Sequence, residues 1–182
     1  TLTRGRRALT VQVPSRLSWS AVSSYAECGE RFRLERLFKV PKHSWWSTIA
    51  GTAIHEITEF IDRAVFAGLD LEDAADMAPT FAAVFDRIAA DPREVPELGL
   101  KASQKRGMKT ITEQGGPNGK DHDWWLHWGP IYVQRYVRWR GARGWEIAVM
   151  PDGRPGIELG FRFEIDGMPV LGIIDRVFYD PE

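Results

Sequence analysis

The stretch Ile157-Glu158-Leu159-Gly160-Phe161-Arg162-Phe163-Glu164-Ile165-Asp166-Gly167 decides the fold class. Its apolar residues fall on every second position from Ile157 to Ile165, the period of a strand with one buried face. Asp166-Gly167 follows at once, and Asp-Gly between alternating runs is a strong two-residue hairpin signal. A second strand is therefore expected over about Pro169–Tyr179. Upstream, the period changes from two to that of a helix. Ile54, Ile57, Ile61 and Val65 are spaced three, four and four apart, as a buried helical stripe requires. The predicted helix runs from about Thr48 to Ala67, with Gly68 placed to stop it. A further helical stretch covers about Leu71–Ala90 and breaks near Pro79.

Nearer the N-terminus, Ser18 or Ser20 can cap a helix that carries Val22, Tyr25 and Ala26 on one face. Cys28-Gly29 interrupts that face, so two short helices, or one kinked at Gly29, are expected before Pro41. The segment 91–121 is rich in proline and glycine and reads as an exposed loop. A last helix, about Asp123–Trp139, carries Trp124, Trp125, Trp128, Tyr136 and Trp139. Helices first and an antiparallel pair afterwards indicate an α+β or mixed α/β domain over 17–182, preceded by a basic arm at 1–16.

The 182 residues suit one domain large enough to fold without disulfides, and a single cysteine excludes a disulfide framework. No apolar run approaches the roughly 20 residues of a membrane span, and no apolar stretch follows the N-terminal arginines as a signal peptide would need. A soluble, cytoplasmic protein is expected. The net charge of -1 conceals segregation. Residues 1–47 hold nine basic against three acidic residues, 48–100 three against eleven, 101–144 nine against three, and 145–182 three against eight. Such alternation fits a polyanion contact beside a cation site, and equally fits solvated helix faces that differ in charge.

Two short motifs can carry chemistry. In Gly51-Thr-Ala-Ile-His55-Glu-Ile-Thr-Glu59, His55 and Glu59 lie four apart and share a helix face, which Asp62 extends by another turn. Imidazole and carboxylate oxygens converging there can bind a divalent cation; the same spacing also describes a polar face turned to water. The zinc-protease pattern fails, because Glu59 stands where the second histidine is required. In Gly172-Ile-Ile-Asp175-Arg176-Val177, Asp175 alternates with Ile173 and Val177. It should therefore point where apolar side chains point and need a partner or a metal there. The alternative is an aspartate at a wet strand end, paired with Arg176 or another cation.

Taken in order, Leu-Ser-x-Ser-x-x-x-x-Tyr-x-x-Cys at 17–28, Gly-Thr-x-x-His-x-x-x-Glu at 51–59 and Gly-x-x-Asp-Arg-Val at 172–177 resemble the RecB-like branch of the PD-(D/E)XK nucleases. That branch includes exonucleases of phages and prokaryotes related to CRISPR-associated proteins. The resemblance implies a restriction-endonuclease-like core and metal-dependent hydrolysis of DNA, most simply as an exonuclease in DNA processing, recombination or repair. It implies His55 and Asp175 as ligands of Mg²⁺ or Mn²⁺ and Glu59 as a further catalytic group. A partner helicase or recombination protein, and the host cytoplasm for a phage-encoded chain, are also implied. Cys28 stands where some relatives ligate an iron–sulfur cluster, which would need further cysteines beyond residue 182. The family's Asp/Glu-x-Lys is not present, since no lysine here has an acidic residue two positions before it. The chain is accordingly expected to be a C-terminally truncated fragment, and one that need not be active alone. A fold-retaining module that binds nucleic acid without cutting is the competing expectation.

For DNA contact, Arg31, Arg33 and Lys42 are candidate phosphate ligands, and Trp45 and Trp46 are the pair expected to stack on unpaired bases. Trp19, Trp124, Trp125 and Trp128 are weaker candidates, each more simply read as core.

Overall fold

The computed structural model describes residues 15–38, 46–90 and 120–180, and elements are numbered in chain order among them. The basic arm through residue 14, the segment 91–119, Lys42 and Trp45 lie outside the described residues. The chain falls into two compact units. The first comprises the described residues of Thr1–Lys42 and Glu158–Ile174, the second those of His43–Ile157 and Asp175–Glu182.

In the second unit, α3 (Trp46–Phe66) is the central helix. Ile57 and Ile61 are fully buried, together with Trp46, Ile49, Ala50 and Ala53, while Ile54 and Val65 flank this core half-buried. Each large aliphatic side chain buried in this way contributes about 1.5–3 kcal/mol. Two helices follow, parted around Pro79 as expected. The first is α4 (Leu71–Asp76), whose N-cap Asp70 accepts from the Asp73 N–H at 2.8 Å. The second is α5 (Phe81–Ala89), capped by Thr80, which drives Phe81, Val84, Phe85 and Ile88 into the core. The aromatic helix α6 runs over His122–Arg143. Asp121 caps it by accepting from the Trp124 N–H at 2.9 Å, and Gly144 ends it in the left-handed region at φ 63°. It thus extends one turn beyond the expected end at Trp139. On α6, Gly129 serves close approach: a Cβ built there would stand 2.2 Å from the Phe81 ring. Beyond α6, β2 (Glu146–Ile147) pairs antiparallel with β5 (Phe178–Tyr179).

In the first unit, Leu17–Ser18 form a short strand, β1, parallel to β4, with Leu17 opposite Val170. Ser18 then caps α1 (Trp19–Glu27) by accepting from the Ala21 N–H at 3.2 Å. The interruption falls at Cys28, whose backbone is extended, and α2 (Gly29–Phe32) and a π-helical turn (Arg33–Leu37) follow. β3 (Ile157–Ile165) and β4 (Met168–Arg176) form the expected hairpin, with sheet order β1-β4-β3. Its turn has φ 48° at Asp166 and 76° at Gly167, the two positive values of a type I′ turn.

Two expectations for the hairpin require correction. The alternating apolar row is not a buried face along its length, because Phe163 and Ile165 near the turn are exposed. Alternation records which residues share a face; it does not supply a layer to cover it. Nor does one strand run from Pro169 to Tyr179. Val177 breaks it, donating its N–H to Gly156 O at 2.7 Å and accepting from the Ala148 N–H at 2.9 Å, and β5 then pairs with β2. Among the described residues no helix is long and apolar enough to cross a membrane.

Candidate active site

His55 projects from the middle of α3, and Asp175 is the penultimate residue of β4. Although 120 positions separate them in sequence, His55 Nε2 and Asp175 Oδ1 lie 3.5 Å apart. Both belong to the second unit, and both remain open to solvent, their side chains 39% and 67% exposed. The separation fits ligands of one cation: neighbouring ligands of an octahedral ion, each about 2.1 Å from it, are about 3 Å apart. Imidazole nitrogen with carboxylate oxygen is a donor set that Mg²⁺ tolerates and Mn²⁺ accepts more readily.

Asp175 does not lie on a core face. Ile173, two residues before it, is exposed, so the shared alternation marks an open edge and the Asp175 side chain is wet. Its partner is His55. Arg176 gives its Nη1 to the Asp175 backbone carbonyl at 2.6 Å and turns its Nε elsewhere.

That destination is Asp62, which is 0% exposed. Seven residues beyond His55 on α3, it does not extend the polar face toward water. Its Oδ2 accepts from Arg176 Nε at 2.6 Å and from the Tyr136 hydroxyl at 2.5 Å, and its Oδ1 accepts from Arg140 Nε at 2.8 Å. Arg140 also donates to the Trp145 carbonyl at 2.5 Å and lies over the Phe178 ring. Burial, and then the hydrogen bond to Asp62, push the Tyr136 phenol well above its ordinary pKa, so it stays a donor. The buried carboxylate is thus fully engaged, as a buried charge must be. Sequence reading missed this network. The available signal was that Asp62 lies beside Ile61 and one turn from Thr58, both on the buried side of α3.

Glu59, one turn from His55, accepts from Arg63 Nε at 2.7 Å. Of the candidate DNA contacts, Arg31 is exposed and paired with Glu27 and Glu35, and Arg33 is exposed and forked onto Glu30 at 2.7 and 2.8 Å. Trp46 is a correction: at 3% exposure it packs on Phe85 inside the core, so no base can stack on it. Trp125 is buried too, whereas Trp19 is exposed. Cys28 is exposed, with its Sγ 3.5 Å from the Arg31 N–H at the start of α2.

A family model described as the PD-(D/E)XK nuclease superfamily matches residues 16–182. The Gene 69 protein of Mycobacterium phage D29 is 32% identical over 170 residues, covering 92% of this chain and 58% of the relative. The Gene 69 protein of Mycobacterium phage L5 is 26% identical, covering 88% of this chain and 59% of the relative. The chain therefore spans less than three fifths of the length of these curated relatives. No solved structure gives a significant match.

Proposed function

Because this chain belongs to the PD-(D/E)XK nuclease superfamily, we propose that it is a metal-dependent deoxyribonuclease of the RecB-like branch, acting as an exonuclease in the host cytoplasm. The observation that carries this reading is the 3.5 Å approach of His55 Nε2 to Asp175 Oδ1. A helix histidine and a strand aspartate from distant parts of the sequence converge where the motif order says the cation should be held.

His55 offers a ring nitrogen and Asp175 a carboxylate oxygen as ligands of Mg²⁺ or Mn²⁺. A divalent ion held there supplies Lewis-acid polarisation of the scissile phosphate and a more acidic bound water. The exposure of both side chains leaves room for water and a phosphate beside them. Glu59, one helical turn from His55, orients the water or the imidazole. Arg176 and Asp62 hold the end of β4 against α3, so the carboxylate stays opposite the imidazole.

The test is single-turnover cleavage of linear DNA by the full-length protein with Mg²⁺, Mn²⁺ or EDTA, comparing linear with circular substrates. Metal-dependent release of nucleotides from ends supports the proposal. Tight DNA binding without cleavage under every condition would favour a fold-retaining binding module instead.

A further inference from the structure

One flank of α6 combines three features found together nowhere else among the described residues. Trp124, Trp128, Tyr132, Arg135 and Trp139 follow one another at spacings of four, four, three and four, so they form one stripe along the helix. Trp124 packs against the core, but the rest of the stripe is not absorbed into it: Trp128 is 36% exposed, Tyr132 37% and Trp139 39%. Its charge is one-signed. From Trp124 to Trp145 there is no acidic residue, and among the described residues no carboxylate pairs with Arg135, Arg138 or Arg143. Asp123 in the first turn is the exception at one end, engaged by His122. Arg135 lies over the Tyr132 ring and Arg143 over the Trp145 ring, while Lys120 covers Trp124.

The cations of α2 and of the π-helical turn after it are placed differently. Arg31 and Arg33 are exposed too, but their charges are already matched by Glu27, Glu35 and Glu30. A phosphate must displace those carboxylates to reach them. On α6, Arg135 and Arg143 are held over ring faces instead, which leave the N–H edges available to an anion. Exposed indole and phenol faces interleaved with such cations complement a strand that presents unpaired bases and phosphates together. A duplex, its bases already stacked, could use only the charge.

Resting on the nuclease reading above, we propose that this flank of α6 is a docking track for single-stranded DNA, with Trp128 and Tyr132 as stacking faces and Arg135, Arg138 and Arg143 as phosphate contacts. An adjoining face of the same helix sends Tyr136 and Arg140 to Asp62 on α3, the helix that carries His55. Track and candidate site therefore share one scaffold.

The probe is a fluorescein-labelled oligothymidylate of about 20 nucleotides, followed by anisotropy on the intact protein in EDTA, so that binding is read without cleavage. Replacing Arg135 and Arg138 together by Glu should weaken binding by about 10-fold or more and flatten the log–log salt dependence by about 1.4. Trp128→Ala should weaken it about 5- to 100-fold, and Trp128→Phe should restore most of the loss. Arg154→Ala, at an exposed guanidinium already paired with Asp152, should change it less than about twofold, and a duplex of equal length should bind more weakly and ignore Trp128→Ala. Thermal unfolding on the same preparations checks the fold, and the arginine pair keeps the test open should Trp128→Ala not fold. No binding by the wild type, or unchanged affinity and salt slope in the α6 variants, would overturn the track and favour a protein partner on this surface. A full-length protein that binds in the expected way but never cleaves would sink the nuclease reading alone. One that cleaves, yet is indifferent to the α6 variants, would sink the track alone.

Discussion

Arg176 Nε donates to Asp62 Oδ2 at 2.6 Å, linking the residue next to Asp175 to the helix that carries His55. Asp62 is buried between this guanidinium and that of Arg140, so its removal strands two charges with Tyr136. Asp62→Ala should cost about 3–5 kcal/mol of folding stability, the usual result of breaking a buried ion pair from one side. Asp62→Asn, which keeps one acceptor, should cost less. Urea unfolding monitored by tryptophan fluorescence measures both. Wild-type stability in Asp62→Ala would refute the network's structural role.

In the full-length protein, Asp175→Ala should abolish most cleavage while leaving thermal unfolding near wild type, because the side chain is exposed and supports no core contact. The loss belongs in the single-turnover rate at saturating metal, far more than in DNA affinity. His55→Ala should behave alike, with partial recovery at higher Mn²⁺. Glu59→Ala should cost about 10–100-fold, the usual range for a group acting through a ligand or its water.

Gly129 lets the Phe81 ring lie against the α6 backbone. Gly129→Ala should destabilise the second unit by about 1–3 kcal/mol through overpacking, despite alanine's better helix propensity. Phe81→Leu should recover part of that loss in the double variant. Additive costs in this cycle would show that the ring and the glycine do not meet.

His122 supplies a pH dependence. Burial disfavours its charge and is the largest single influence, yet hydrogen bonds to Asp86 and Asp123 together outweigh it and raise the ring's pKa above 6.5. A raised folded-state pKa stabilises the fold fully below the unfolded value and loses that contribution as pH rises through the folded one. Stability should therefore fall from weakly acid to weakly alkaline pH, and His122→Gln should flatten this slope. Denaturation series at several pH values decide it, with an unchanged slope in the variant counting against the two carboxylate contacts.

What was legible in the sequence was whatever depends on local period and punctuation. The isoleucine stripe places α3, Pro79 parts α4 from α5, and Asp166-Gly167 turns the hairpin. Motif order brought out His55 and Asp175, which the fold sets 3.5 Å apart. Long-range hydrogen bonds were not legible. Val177 leaves the strand because Ala148 and Gly156 capture its backbone, and no pattern within 169–179 announces that. Asp62 was read as extending the His55–Glu59 face, toward a cation or toward water. Its burial follows from guanidinium groups 78 and 114 positions away. Trp46 was misread for the opposite reason: a tryptophan beside basic residues suggests a surface, but the first turn of α3 points it at Phe85.

The adjacency of Asp175 and Arg176 at the end of β4 has an evolutionary consequence. Successive side chains of a strand leave on opposite sides, so one carboxylate stays outside while the next guanidinium goes in to Asp62. Deleting or inserting a single residue between Gly172 and Asp175 would exchange these destinations, placing an acid beside the interior acid and a base beside the imidazole. Length in this stretch is therefore under tighter restraint than side-chain identity. Substitutions at Ile173 and Ile174, which are exposed, should be tolerated, whereas a one-residue change in the count should not.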